Sequence, residues 1–157
     1  MIAPKDVRLI RTSEEAYYAV GELIFIGAEE IDTLKAEVNN CSRQRVRICT
    51  HPNVDAVLHE MFVCYTRDTK IAPHKHVGKD ETFCVMEGDM DFIVYNDTGD
   101  VKRILHMGDP QSGKPFCVRV PMDTFHSVRL NSEFCVLHEA TPGPFDRKDT
   151  VWATWGK

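Results

Sequence analysis

The feature that most limits the fold of this 157-residue chain is a series of short apolar segments in its C-terminal two thirds. Each is rich in Val, Ile, Phe or Tyr, and Gly, Pro, Asn or Asp residues, which favour turns, separate it from the next. Residues 88–89 and 96–100 have the composition of hairpin turns. Seven such segments predict an all-β sandwich or barrel, with strands at residues 61–66, 82–87, 91–95, 101–106, 116–120, 125–130 and 133–140.

The first third of the chain carries a different pattern. Ile31, Leu34 and Val38 recur on one face of a helix, acidic residues occupy its first turn, and Asn39 follows its end. We therefore predict a short α-helix over residues 28–38. A chain of this length has room for a single core. The expected fold is mainly β, a jelly-roll barrel at residues 58–157 with its C-terminal tail packed on it. A lead-in at residues 1–57 holds the helix and joins the same compact domain.

Charge and cysteine content limit the partners and the compartment. The net charge of −5 argues against nucleic acid or an anionic membrane surface as a partner. The N-terminus lacks the apolar segment of a secretory signal, and the six cysteines include no C-x-x-C pair. Because several cysteines lie within apolar runs, we interpret them as reduced, buried thiols rather than as a disulfide framework or a redox site. We accordingly expect a cytoplasmic protein.

Histidine and carboxylate side chains are concentrated in one short segment. His74 and His76 are two residues apart, so in an extended strand both side chains point the same way. Glu81 follows across Gly78, where a turn could return its carboxylate to the same point, and His126 lies in a later predicted strand. Three imidazoles and one carboxylate suit a divalent transition metal such as Fe, Zn, Mn or Ni. A coincidental grouping of histidines is the alternative.

The spacing of these residues resembles the two sequence motifs of the cupin superfamily. The chain matches the first motif and the core of the second with His74-x-His76-x4-Glu81-x6-Gly88 and Pro121-x4-His126. Two positions depart from the usual pattern, Asp123 where a glycine is usual and Leu130 where an asparagine is common. The resemblance implies a cupin barrel, with metal-ligand roles for the histidines and the glutamate of these motifs.

A narrower resemblance covers roughly residue 22 to the C-terminus and is to the WbuC-type cupin metalloproteins. It is carried by residues 43–51, 71–76 and 139–145 and by Trp155. Members of that family occur in bacterial O-antigen and capsule gene clusters. The resemblance therefore implies a role in surface-polysaccharide biosynthesis, and it leaves the reaction undefined.

Three alternating arginines are candidate ligand-binding residues. Arg43, Arg45 and Arg47 would project from one face of an extended segment. Guanidinium groups suit carboxylates and phosphates, so this face could bind a ligand. The alternative is a solvated edge strand, whose charges protect it from pairing with other chains. The WbuC-type resemblance raises the binding interpretation of this segment to equal weight. Arg45, Arg47 and, separately, Tyr65 are the substrate-binding candidates.

Two further residues are candidate acid–base groups. Glu139 ends a predicted strand, and the resemblance brings His51 to the mouth of the barrel. With a bound metal they fit an isomerase- or epimerase-like or a dioxygenase-like enzyme acting on a carbohydrate or an acidic sugar derivative. The alternatives are a non-catalytic metal-containing module that binds a sugar or sugar nucleotide, and a metal-free cupin. We also expect a homodimer whose ligand is a small carbohydrate-like or carboxylate-bearing molecule.

Overall fold

The computed structural model describes residues 7–155. Within this range the chain forms one α-helix, twelve β-strands and a 3-10 turn at Arg147–Asp149. The helix and strands are β1 (Arg8–Ser13), β2 (Ala16–Val20), α1 (Ala28–Val38), β3 (Arg45–Cys49), β4 (Leu58–Thr66), β5 (His74–His76), β6 (Glu81–Glu87), β7 (Asp89–Tyr95), β8 (Val101–Gly108), β9 (Cys117–Val120), β10 (His126–Leu130), β11 (Phe134–Pro142) and β12 (Thr150–Trp152).

The strands form two sheets that face each other. The first has seven strands in the order β1-β2-β3-β4-β11-β6-β9, and the second has five in the order β12-β5-β10-β7-β8. Strands β2 and β3 run parallel, and the other neighbouring pairs are antiparallel. The inner faces share a buried cluster that includes Val63, Val85, Met90, Phe92 and Leu137. The predicted all-β barrel is therefore confirmed.

The helix covers the outer face of the seven-stranded sheet. Because side chains alternate along a strand, Val63 and Tyr65 of β4 belong to the inner core, while Cys64 between them faces outward. Leu34 and Val38 of α1 are fully buried in a second cluster that contains Cys64 and residues of β3 and β11. The helix thus holds β3, β4 and β11 together from outside and leaves their inner faces to the barrel interior.

The helix spans the predicted residues, 28–38. The backbone amide of Gly27 donates a 2.8 Å hydrogen bond to the carboxylate of Glu30, which closes the first turn. Glu29 and Glu30 also place negative charge at the positive end of the helix dipole. In the part of the chain that the structure describes, no helix is long and apolar enough to cross a membrane.

Seven of the twelve strands correspond to predicted ones, with ends that differ by a few residues. The sequence analysis missed β1, β2, β5 and β12, and it left β3 as a possible edge strand. Strands β5 and β12 have only three residues each, too few to show a period. Strand β3 lies between β2 and β4, so the edge-strand alternative is wrong.

Candidate metal centre and ligand cavity

Three of the predicted metal-ligand residues converge inside the barrel. His74 and His76 are the first and last residues of β5, and their side chains point the same way because they are two apart. His126 begins β10 and lies directly opposite His74 in the sheet. One ring nitrogen from each of the three histidines lies within 4.8 Å of the other two. A metal ion about 2 Å from each nitrogen fits this spacing.

The fourth predicted ligand comes from the facing sheet. Glu81 begins β6, and its Oε1 atom lies 3.1 Å from Nε2 of His76. Its Oε2 atom lies 3.3 Å from Nε2 of His126. Among the described residues, Glu81 Oε2 and His126 Nε2 are buried without a hydrogen-bond partner. Leaving two polar atoms of this kind unpaired in an interior costs on the order of 1–3 kcal/mol each, and a cation bound between them would satisfy both.

The Nδ1 atom of each histidine already has a polar partner, and these contacts fix the orientation of the three rings. Nδ1 of His74 donates to the carbonyl oxygen of Ala72 at 2.9 Å, and Nδ1 of His126 donates to that of Thr124 at 2.9 Å. A neutral imidazole whose Nδ1 donates keeps the Nε2 lone pair free. Outer partners of this kind usually orient metal-binding histidines, and the hydroxyl of Thr150 lies 3.2 Å from Nδ1 of His76 in the same role.

The electrostatics favour the neutral, metal-binding form of the histidines. Burial, together with the neighbouring His126, lowers the pKa of His74 to about 4. Burial also lowers the pKa of His76, although the carboxylate of Glu81 opposes this. Both rings are therefore neutral at neutral pH. Imidazole nitrogens and a carboxylate fit a divalent transition metal, so the residues present are suited to the ion that the sequence predicts.

Two motif positions, Gly88 and Asp123, have a left-handed backbone conformation. Gly88 has a φ of +90°, and a Cβ atom there would overlap the carbonyl oxygen of Phe134. Asp123, which departs from the usual motif glycine, has a φ of +61°. Its backbone amide donates to the carbonyl of His76 at 2.9 Å, which joins the turn before His126 to β5. The glycine preference at this position thus reflects a left-handed backbone, and aspartate is among the residues that tolerate it.

A cavity of about 770 Å³ opens from the histidine cluster. Its walls come from the inner face of the seven-stranded sheet and from β5, β10 and the C-terminal segment. The nine residues that the sequence analysis selected all line this one cavity, namely Arg45, Arg47, His51, Tyr65, His74, His76, Glu81, His126 and Glu139. The structure therefore brings together side chains that are spread over 95 positions of the sequence, from 45 to 139.

Glu139 and Tyr65 form a hydrogen-bonded pair in the cavity wall. The hydroxyl of Tyr65 donates to Oε1 of Glu139 at 2.8 Å. Burial raises the pKa of Glu139 to about 7, and the negative charge of Glu81 adds to this effect. The pKa of the Tyr65 hydroxyl lies well above its usual value, mainly because the ring is buried. Tyr65 therefore stays protonated, while Glu139 is able to hold or release a proton near neutral pH.

His51 lies in the same cavity with one ring nitrogen already engaged. Its Nδ1 atom is 3.0 Å from the carbonyl oxygen and 3.2 Å from the amide nitrogen of Glu60. The ring stacks on His59 with a centroid distance of 4.0 Å and meets the edge of Tyr18 at 5.5 Å. Burial lowers the pKa of His51, so it is neutral at neutral pH. His59 and Tyr18 support this ring, and the sequence analysis did not assign them to the site.

The three arginines differ in their partners. Glu15 lies 2.8 Å from Nε of Arg45 and 3.5 Å from Nε of Arg43, so it neutralises part of their charge. Among residues 7–155, no carboxylate lies within ion-pairing distance of Arg47. Glu15 was missed because it lies 30 residues from Arg45 in the sequence and is brought near only by the parallel pairing of β2 and β3.

The C-terminal segment closes one side of the cavity. Strand β12 pairs with β5, which places Trp152 opposite His74 with a ring-centroid distance of 5.0 Å. Trp155 packs on the rings of Tyr95 and Phe125 at 5.2 Å and 5.4 Å. These contacts hold the tail against the five-stranded sheet. A three-residue strand leaves little periodic pattern in the sequence, so the direct contact of Trp152 with the histidine cluster was not predictable.

Comparison with solved structures shows the fold class. CapF, solved with the inhibitor 3-isopropenyl-tropolone, superposes with a TM-score of 0.53 and 16% identity over 68% of this chain and 30% of CapF. Protein SO0799 from Shewanella oneidensis gives 0.51 and 15% over 65% of each chain. A variant of the oxalate decarboxylase OxdC from Bacillus subtilis gives 0.50 and 16% over 60% and 24%. These are cupin-fold proteins, and the cupin fold is thereby shown for this chain.

The family follows from the sequence itself. Residues 26–107, just over half of the chain, match the family described as Domain of unknown function (DUF6016), and the chain belongs to that family. No curated protein matches the chain. The chain spans less than two thirds of the length of each solved structure named above. The narrower resemblance to WbuC-type cupins stays a prediction.

Proposed function

We propose that this protein is a metal-dependent cupin enzyme that transfers protons on a small, oxygen-rich ligand carrying a carboxylate. The observation that carries the proposal is the buried pair of Glu81 Oε2 and His126 Nε2, two acceptor atoms 3.3 Å apart without a partner among the described residues. A divalent cation satisfies both atoms at once, and His74 and His76 supply two further nitrogens beside them.

The four side chains divide the binding task between the two sheets. His74, His76 and His126 would hold the ion from the five-stranded sheet, and Glu81 would hold it from the other. A metal bound there would act as a Lewis acid that polarises a ligand oxygen and acidifies the neighbouring C–H or O–H group. Residues of the cavity wall would bind the ligand and transfer its proton.

Glu139 is the proposed acid–base group. Its Oε1 atom accepts the hydrogen bond from Tyr65, so its Oε2 atom is the one left to face a ligand. In the metal-free protein burial raises its pKa to about 7, and a carboxyl group in such an environment suits proton abstraction and return. A group of this kind favours isomerase- or epimerase-like chemistry over oxygen chemistry. His51, with its second ring nitrogen free of Glu60, is the second candidate for this role.

Arg47 is the proposed anchor for the carboxylate of the ligand. It lines the same cavity and has no carboxylate partner among the described residues, whereas Arg45 is paired with Glu15. A guanidinium binds a carboxylate through two parallel hydrogen bonds, which fixes the orientation of the ligand as well as its position. Arg45 and Tyr65 would then line the ligand without carrying its charge.

Cavity size and the WbuC-type resemblance support the substrate class. A cavity of about 770 Å³ admits a ligand of sugar size. The resemblance to WbuC-type cupins supports a carbohydrate or acidic sugar derivative from O-antigen or capsule biosynthesis as the ligand. The proposed reaction is therefore an isomerisation or epimerisation at a carbon beside a carbonyl or carboxylate group.

The test is a deuterium-exchange experiment on metal-loaded protein. The wild type and Glu139→Gln are incubated in heavy water with a panel of uronic acids, aldonic acids and neutral sugars, and NMR follows exchange at each carbon. We expect the wild type to exchange one C–H position of at least one acid, and Glu139→Gln to bind that acid without exchange. Binding without exchange by both proteins would favour the non-catalytic binding module. Oxygen consumption with release of an oxidised product would favour the dioxygenase alternative.

A further inference from the structure

We propose that Cys84 and Cys117 form a reversible cross-strand disulfide, a modification site on the outer face of the barrel. Cys84 lies in β6 and Cys117 begins β9, and the two residues are directly opposite in the antiparallel register. Their sulfur atoms, in the free thiol state, are 2.8 Å apart. Neither residue lines the ligand cavity, so the site is independent of the proposed function.

The backbone geometry of this pair suits a disulfide. The amide of Val85 donates to the carbonyl of Phe116 at 2.7 Å, which makes these two neighbours a hydrogen-bonded pair. Because the two pair types alternate along an antiparallel ladder, Cys84 and Cys117 form a non-hydrogen-bonded pair, with Cα atoms about 4.5 Å apart. Disulfides span Cα distances of about 4.4–6.8 Å. The bond therefore closes without a change of register.

The two thiols differ from the other cysteines in their exposure. The sequence analysis interpreted the cysteines as buried, but Cys117 is exposed and Cys84 is half-buried. Burial, together with the neighbouring sulfur of Cys117, raises the pKa of Cys84 to about 11. Cys117 is thus the sulfur that a dissolved reagent meets first, and Cys84 is the one that resolves the product. The remaining thiols are buried, namely Cys41, Cys49, Cys64 and Cys135.

A histidine lies on the other side of Cys84. His138 of β11 is directly opposite Cys84, so the three side chains form one row across the outer face of the sheet. The His138 ring is held by Phe62, at a centroid distance of 5.0 Å, and its Nε2 atom lies 3.6 Å from the carboxylate of Glu60. Cross-strand neighbours of this kind have Cβ atoms about 5 Å apart. His138 is therefore the neighbour of Cys84 on the side away from Cys117.

A small-molecule disulfide such as oxidised glutathione is the oxidant class that we assign to this step. The Cys117 thiolate attacks one sulfur of the oxidant, which releases one glutathione thiolate and leaves a mixed disulfide on Cys117. Cys84 then loses its proton and attacks the Cys117 sulfur, which forms the cross-strand bond and releases the second glutathione. The two protein thiols are oxidised, the glutathione disulfide is reduced to two thiols, and the two protons leave with them.

The disulfide would connect β6 and β9, two strands that are next to proposed metal ligands in the sequence. Strand β6 begins with Glu81, and β9 continues through the turn at Asp123 to His126. The disulfide lies on the opposite side of the sheet from Phe83 and Val118, which belong to the inner core or pack against it. It should therefore stabilise the barrel against unfolding and leave the metal content unchanged.

The experiment treats the full-length, metal-loaded protein with oxidised glutathione, alkylates the remaining thiols, and maps the peptides by mass spectrometry. We expect a chain that is not covalently linked to a second chain, has lost two hydrogens and carries no glutathione. Its digest should contain a disulfide-linked pair of peptides with Cys84 and Cys117. Dithiothreitol should restore both thiols. In Cys84→Ser, the resolving thiol is missing, so a stable glutathione adduct should accumulate on Cys117.

Cys41→Ser is the matched control, because it removes one thiol and leaves the pair intact. The Sγ atom of Cys41 donates to the carbonyl of Glu14, and a serine hydroxyl is able to do the same. This variant should behave as the wild type. A stable glutathione adduct on Cys117 of the wild type, a covalent dimer through Cys117, or no reaction at either cysteine would each overturn the proposal.

Discussion

Oε2 of Glu81 and Nε2 of His126 face each other at 3.3 Å across the interior of the barrel, and both are acceptor atoms. In the neutral form of His126, Nδ1 donates to the carbonyl of Thr124 and Nε2 therefore carries only a lone pair. Two lone pairs at this distance repel each other in a low-dielectric interior. A cation between the two atoms turns this repulsion into two favourable contacts.

The first prediction is that Glu81→Gln is more stable than wild type without metal and less stable than wild type with metal bound. In the metal-free protein the glutamine amide is able to donate to His126 Nε2, which should raise the free energy of unfolding by about 1 kcal/mol. The same variant should gain much less stability from added metal, whereas wild type at a metal concentration of about 100 times Kd gains about 2.7 kcal/mol. Denaturant titrations with and without metal measure both effects.

Glu133→Gln is the control for this pair of effects, because Glu133 is exposed and lies outside the cavity. It should leave both free energies unchanged. A Glu81→Gln protein that is less stable than wild type without metal, and equally stabilised by metal, would remove Glu81 from the centre.

The second prediction concerns the pH dependence of stability in the metal-free protein. The folded-state pKa of Glu139 is about 7, raised from an ordinary value of 4.5. Between these values the folded state retains a proton that the unfolded state has lost, so this residue's contribution to stability falls as pH rises and is fully lost above about pH 7. Glu139→Gln removes this loss of about 3 kcal/mol, so the variant's advantage over wild type should grow between about pH 5 and pH 8.

The comparison with the variant is needed because His74 has the opposite effect. Its pKa is lowered from 6.5 to about 4 in the folded state, so its contribution to stability rises with pH over that range. This effect is common to wild type and Glu139→Gln, and it cancels in their difference. A difference that stays constant from about pH 5 to pH 8 would show that Glu139 titrates normally.

The third prediction separates the two central arginines. Arg47→Met should weaken the binding of glucuronate to the metal-loaded protein by about 1.5–3 kcal/mol, the value of a hydrogen bond to a charged group. Arg45→Met should have a smaller effect, because Arg45 already pairs with Glu15. Isothermal titration calorimetry measures both affinities, with neutral glucose as the ligand control. Equal losses in the two variants would contradict the assignment of Arg47 as the anchor.

The fourth prediction concerns the backbone at Asp123, whose φ is +61°. Asp123→Val places a β-branched residue in the left-handed region and should cost about 1–2 kcal/mol of unfolding free energy. Asp123→Gly should leave stability within about 1 kcal/mol of the wild type. Thermal and denaturant unfolding measure the two values. Equal stability of the valine and glycine variants would show that the turn relaxes to another conformation.

The sequence was sufficient to predict the fold class and the common direction of the His74 and His76 side chains, because both depend on local patterns. Alternating apolar segments with turn residues predict strands, and the H-x-H spacing fixes the side of β5 to which His74 and His76 point. The position of the helix was predictable for the same reason, since its apolar residues repeat at the helical period.

The rest depends on contacts between residues that are distant in the sequence. The pairing of Arg45 with Glu15, the hydrogen bond from Tyr65 to Glu139 and the position of Trp152 each require the tertiary fold. The same holds for the Cys84–Cys117 pair, whose members are 33 residues apart. The expected homodimer and the sugar-derived ligand stay predictions.

The most direct test of the central claim is the metal content of protein purified without chelator and without a nickel column, measured by plasma mass spectrometry. We expect close to one transition-metal ion per chain in the wild type and in His106→Ala, whose side chain is 70% exposed on the other face of the five-stranded sheet. His76→Ala should lose the metal. A wild-type protein that contains no metal, and takes up neither iron, manganese, zinc nor nickel on titration, would contradict the account.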